Sequence, residues 1–194
     1  MKKALLCLSA LFIAAPMTPP QTYAASFAPT TITESAKPPT IEYKRIERRY
    51  IGYNIYDLTQ PSNLTEAEIS AYFERFPALQ PFAGIIAEAD SDVNAVFLIA
   101  VIRLESGNGE NLTTANNYGN IIDFYTGEYI SYGTAEQGIT ALICLLKREY
   151  LTESGMWYSG LSVRDVERHY CNEGEWAETV IKIMGEIDES VRKI

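Results

Sequence analysis

Phe97-Leu98-Ile99-Ala100-Val101-Ile102-Arg103-Leu104-Glu105-Ser106-Gly107 is the stretch on which the fold turns. It is apolar nearly all round, which places a helix inside the domain rather than on its surface. Asn94 supplies an N-cap before Ala95, and Gly107 stops the helix after Glu105. Glu105 follows Ile102 and Val101 by three and four residues, and Leu98 by seven, so it shares a face with apolar side chains. It also lies in the last turn, where the helix dipole is negative. Low dielectric and the dipole both disfavour the ionised form, so its pKa is expected above the ordinary carboxylate range. A carboxyl held protonated near neutral pH can donate a proton to a leaving oxygen, the acid step in breaking a glycosidic bond. The alternatives are a Glu paired with an Arg, or one exposed at a fraying helix end.

Outward from this segment, helix signals follow one another. Thr65 and Glu68 form a capping box, and Ile69, Tyr72, Phe73 and Phe76 carry the apolar spacing of the helix behind it. Pro77 ends that helix, and a second is expected from about Phe82 to Asp90. Thr134 and Gln137 open a helix to about Leu151, Ser162 and Asp165 open one to Tyr170, and Trp176 to Val191 forms the last. Between Asn120 and Tyr132, β-branched and aromatic residues flank Thr126-Gly127, which reads as a small hairpin. The fold class expected is mainly α, formally α+β: a helical domain with one β-hairpin lobe after its central helix.

The 194 residues include 16 Lys+Arg and 25 Asp+Glu, a formal charge of −9. Such acidity argues against a protein that coats nucleic acid, and it leaves neutral sugars open as partners. Lys2-Lys3, the apolar run Ala4 to Ala15, and Ala24-Ala25-Ser26 predict a signal peptide over residues 1–25, too short in its apolar part to span a bilayer. An uncleaved anchor is the alternative. Cleavage leaves 14 basic against 25 acidic residues, a charge of −11. Residues 26–55 read as linker and lead-in, with Pro38-Pro39 and the basic cluster Lys44-Arg45 and Arg48-Arg49. The domain is expected over 56–194. Cys144 and Cys171 remain in the exported chain and either pair or stay reduced; on its apolar helix pattern Cys144 reads as a buried thiol. The lone His169 has no second histidine with which to form a metal site, and no cofactor is expected.

Several blocks occur in a familiar order. Asp57-Leu58-Thr59 and Ser62-Asn63-Leu64-Thr65 lead in. Val93-Asn94-Ala95-Val96-Phe97-Leu98-Ile99-Ala100 then runs into Leu104-Glu105-Ser106-Gly107-Asn108-Gly109. Asn116-Asn117-Tyr118-Gly119-Asn120-Ile121 follows, then His169-Tyr170-Cys171 with Trp176-Ala177. From about Tyr56 to Ile187 the chain resembles the glucosaminidase domain of bacterial cell-wall hydrolases, glycoside hydrolase family 73. The resemblance implies a lysozyme-like fold and a cell-wall-associated enzyme that acts on peptidoglycan glycan strands; the leader implies secretion with no stable insertion in the membrane once it is cut, and a monomer is expected. By position it implies Glu105 as general acid and Tyr170 as a tyrosine that orients the sugar or supports charge at the anomeric carbon. It implies Asn116, Asn117 and Tyr118 as the loop that shapes the groove. The Asn pair otherwise makes a turn, and Tyr170 otherwise fills the core.

An inverting reaction needs a base across the sugar, about 6.5–9.5 Å from the acid. In the resembled family that residue lies after the Asn-Asn block, where this chain offers Glu128 and Asp123. Glu128, just past the turn, is preferred as catalytic and Asp123 is assigned to substrate binding. A third route uses the substrate's 2-acetamido oxygen and no protein base. Tyr118, Phe124, Tyr125, Tyr129 and Trp176 are candidates to stack on sugar faces or to pack in the core. The expected cut is the β-1,4 bond after N-acetylglucosamine. The rivals are a muramidase or lytic transglycosylase, which cut the other bond, and a non-catalytic wall-binding or structural protein on the same fold.

Overall fold

The computed structural model describes residues 50–171 and 174–194. The expected leader, the linker up to residue 49 and the basic cluster at 44–49 lie outside the described residues. The rest is mainly helical. Helix α1 (Glu66–Phe73) starts on the expected reciprocal cap, Glu68 N donating to Thr65 Oγ1 at 3.2 Å and Thr65 N to Glu68 Oε2 at 2.8 Å. Pro77 opens a 3₁₀ turn (Pro77–Phe82) that leads into α2 (Ala83–Ala89). Then come α3 (Ala95–Glu105), α4 (Ala135–Leu145) with one π turn appended (Leu146–Tyr150), α5 (Val163–Tyr170) and α6 (Trp176–Val191). Capping boxes at Thr134–Gln137 and Ser162–Asp165 start α4 and α5 as expected.

Helix α3 is the centre. Every residue from Ala95 to Ile102 is fully buried, and α6 is its principal neighbour. Helix α1 packs on α2 and α6, and α5 on α6. The start of α3 is tied down twice. Asn94 Oδ1 accepts from Val96 N and Phe97 N, while Asp90 Oδ1 accepts from Ala95 N at 2.7 Å. These acceptors satisfy N–H groups that a buried helix start would otherwise leave unpaired. At the other end Ser106 Oγ donates to Ile102 O and accepts from Gly109 N, turning the chain away after Glu105. Residues ahead of the expected domain start also join the packing: Tyr50, Tyr53 and Ile55 lie against the core, and Tyr50 Oη donates to Asp188 Oδ1 at 2.5 Å. Burial alone would raise Asp188, but its bonds from Arg192 and Tyr50 hold its carboxyl below the ordinary range.

Two expectations are corrected. The β-hairpin lobe is a turn with a single antiparallel bridge, Ile122 to Tyr129, and no strand forms among the described residues. The ladder stops because the outgoing chain bonds elsewhere. Ile130 O accepts from Thr114 Oγ1 and Asn117 Nδ2, and Tyr132 N donates to Ala115 O. The pairing that would have lengthened a hairpin is used to fasten 130–132 to the 114–117 loop. Cys144 is exposed rather than buried, and its thiol is free. Helix α4 buries Gly138, Ile139, Leu142, Ile143 and Leu145, and Cys144 points between those rows toward solvent. Among the described residues no helix is long and apolar enough to cross a membrane.

Candidate active site

Glu105 ends α3 half-buried, where the apolar helix emerges from the core. Its carboxylate is held by two N–H donors from distant parts of the chain. Trp176 Nε1 donates to Oε1 at 2.8 Å, and Asn120 Nδ2 donates to Oε2 at 3.0 Å. The same Asn120 amide donates to the Glu105 backbone carbonyl at 2.8 Å, one of the groups left open at a helix C-terminus. The setting is therefore not the bare apolar face expected from the helical spacing. Hydrogen bonds to a charged acceptor are among the stronger ones, and these two fix where the carboxylate points.

Trp176 opens α6 and is only 5% exposed, so its ring is packing and its N–H is the working group. It lies against Tyr170, ring centroids 5.0 Å apart and planes 32° apart. Tyr170, the last residue of α5, also packs on Tyr150 with centroids 5.5 Å apart. Its Oη donates to Gly119 O at 2.8 Å. Gly119 precedes Asn120, which returns to Glu105. The contacts thus close a circuit: Glu105, Trp176, Tyr170, Gly119, Asn120 and back. Glu105 and Tyr170, paired by resemblance alone, are brought into one cluster by α3, α5, α6 and the 116–121 loop.

That loop is built by its asparagines. Asn117 is fully buried; its Nδ2 donates to Ile121 O and Ile130 O, and its Oδ1 accepts from Ile121 N, all at 2.8–2.9 Å. Asn116 takes a left-handed backbone, φ 58°, and donates from Nδ2 to Tyr132 O at 2.8 Å. Both side chains hold the loop to residues 130–132, which is a turn-making role. Tyr118 is buried edge-on against Phe82 at 5.0 Å, and burial pushes its hydroxyl pKa up. The loop also leans on α4. A Cβ added to Gly138 would lie 1.7 Å from Asn116 O. Gly138→Ala is therefore expected to cost about 1–3 kcal/mol, the usual range for overpacking, and to displace the loop. A thermal melt beside the activity of the folded fraction checks both effects.

The two turn acids sit differently. Asp123 Oδ1 accepts from Tyr125 N at 2.9 Å and Thr126 N at 2.8 Å, and the Thr126 amide, as the main cause, holds its carboxyl below the ordinary range. Glu128 has an exposed side chain. Of the aromatics proposed for stacking, Phe124 and Tyr125 are 38% and 78% exposed, whereas Tyr118 and Trp176 are buried. His169 packs on the Trp157 ring and shares a hydrogen bond with Ser159 Oγ at 3.0 Å.

Two residues of the cluster carry no site signal of their own in the sequence: Trp176 reads there as a stacking aromatic, and Asn120 only as a member of its block. Asn120 is left-handed too, φ 50°, a conformation that asparagine tolerates better than most residues. The Gly119-Asn120 pair inside that block is the available signal. Among the described residues no group of three or more His, Cys, Asp or Glu is placed to hold a metal ion. No protein-family model and no curated protein matches the chain.

Proposed function

We propose that the protein is a secreted peptidoglycan hydrolase of lysozyme-like fold, an endo-β-N-acetylglucosaminidase that cuts the β-1,4 bond after N-acetylglucosamine. The observation that carries this reading is the closed circuit around Glu105. A carboxyl at the end of a buried helix, aimed by two N–H donors and backed by Tyr170, has the fixed orientation that a general acid needs. The ordered blocks from Asp57 to Ala177, which resemble the glucosaminidase domain, supply the substrate class.

In this mechanism Glu105 passes its proton to the glycosidic oxygen as the C–O bond breaks. Water adds at the anomeric carbon from the opposite face and gives its proton to the base. Glu128 suits the role of base better than Asp123, because the turn amides that bind Asp123 stabilise its anion and weaken it as a proton acceptor. Phe124 and Tyr125, exposed on the same turn, offer flat apolar faces to sugar rings. The formal charge of −11 after export suits a neutral sugar substrate better than anionic wall polymers.

The test is digestion of purified cell wall by the exported chain, with mass analysis of the fragments. New reducing ends on N-acetylglucosamine are expected. Reducing or anhydro-N-acetylmuramic acid ends would move the assignment to the other bond. No cleavage by a folded protein that still binds wall would make it a binding module.

A further inference from the structure

We infer that Asn120 is a positioning residue for Glu105: its side-chain amide, presented by a left-handed backbone, holds the carboxylate against Trp176. This rests on the reading of Glu105 as the general acid. The geometry is specific. Thr113 Oγ1 donates to Asn120 Oδ1 at 2.8 Å, which turns the NH2 group toward Glu105. One amide then donates to both the backbone carbonyl and Oε2 of the same residue, at 2.8 and 3.0 Å. The carboxylate is thereby folded back toward its own main chain, with Oε1 left facing the Trp176 N–H. Both donors are neutral N–H groups, one on each carboxylate oxygen, and together they fix the direction in which the carboxyl points.

The backbone supports this assignment. A non-glycine residue at φ 50° carries a conformational cost, and such costs persist where surrounding contacts over-determine them. Gly119, next to it, is anchored by Tyr170 Oη, and Leu142 on α4 lies where a Gly119 Cβ would go, 2.6 Å away. The loop is thus pressed into place from two sides, and Asn120 is the residue that converts this placement into a contact with Glu105.

The experiment uses the full exported chain and four variants. Asn120→Gly keeps the left-handed backbone and removes the amide. Asn120→Asp keeps the backbone and the acceptor for Thr113 but sets oxygen against Oε2. Asn63→Gly is the control, another left-handed asparagine, φ 60°, outside the cluster. Asn120→Gly is expected to lower kcat about 10–100-fold on cell-wall glycan with KM changed by less than about threefold, the signature of a misplaced reacting group. Asn120→Asp should fall further, Asn63→Gly should match wild type, and melting temperatures should stay within a few degrees.

A second readout needs no turnover. The chain has two tryptophans, and Trp157 Nε1 is buried without a partner while Trp176 Nε1 is bonded to Glu105. In a ¹H–¹⁵N spectrum one indole peak should move in Glu105→Gln, and the same peak should move in Asn120→Gly. An unmoved indole peak and wild-type kcat in Asn120→Gly would overturn the positioning role. If that peak moves in both variants while the wild type cleaves no glycan, the clamp stands and the hydrolase reading falls.

Discussion

Glu105→Gln is expected to slow cleavage of purified cell-wall glycan by about 10²–10⁴-fold, the range supplied by a positioned general acid. The substitution keeps the shape of the side chain and removes only the transferable proton. Its cost to folding should be small. Both carboxylate oxygens accept from N–H donors, Trp176 Nε1 and Asn120 Nδ2. A glutamine presents one oxygen and one NH2, so one of these donors must face another donor. The half-buried site lets water replace the lost bond, and about 1 kcal/mol is the expected penalty. For a domain of this size that is about 2–4 °C in melting temperature. Reducing-end release measured beside a thermal melt separates the two effects. A variant that retains activity within a factor of a few would remove Glu105 from the acid role. A variant that loses activity only because it has unfolded would show it in the melt.

The largest effect on stability is expected from Asp90→Ala. Asp90 is 4% exposed and gathers four donors: Ser62 N at 3.0 Å, Ser62 Oγ at 2.8 Å, Asn63 N at 2.7 Å and Ala95 N at 2.7 Å. Alanine leaves these groups without an acceptor beside Ser62, which is itself fully buried, and at the first turn of α3. The carboxylate also sits at the positive end of that helix, where an anion is favoured. Removing one partner from a buried charged network costs about 3–5 kcal/mol, because the groups left behind stay desolvated. The melting temperature should fall by about 6–20 °C on the scaling of about 2–4 °C per kcal/mol. Asp90→Asn should fall between, since its carbonyl keeps some of these bonds while its NH2 meets others. A loss under about 1 kcal/mol by denaturant titration would show that water reaches the site and satisfies the donors. Asp90 lies at the far end of α3 from Glu105, so the activity of the folded fraction should be unchanged.

Local sequence distinguishes one of these two acids and not the other. Glu105 stood out because an apolar helix ended on it. Asp90 carries more of the fold, yet it reads in sequence as one more acid at a helix end, since its partners at 62 and 63 lie on another segment. The asparagine block was visible as a block, but the division of labour within it was not. Asn117 serves the loop, Asn116 ties it to Tyr132, and Asn120 reaches Glu105. The expected hairpin failed for a related reason. Alternating β-branched and aromatic residues mark a segment able to pair, and the competing bonds from Thr114 and Asn117 decide how far it does.

From the amino-acid sequence alone come the helices, their starts and stops, and the burial of the central one. Those features rest on contacts three or four residues apart: capping boxes at Thr65, Thr134 and Ser162, the Asn94 cap, and the apolar periodicity between them. Only the tertiary structure decided what meets Glu105. Trp176 lies 71 residues away along the chain, Asn120 lies 15 away, and Tyr170 reaches Gly119 across 51. No local periodicity encodes such pairings. They follow from the packing of α6 and α5 around α3, which brings the end of one helix, the start of another and a left-handed loop residue to one point.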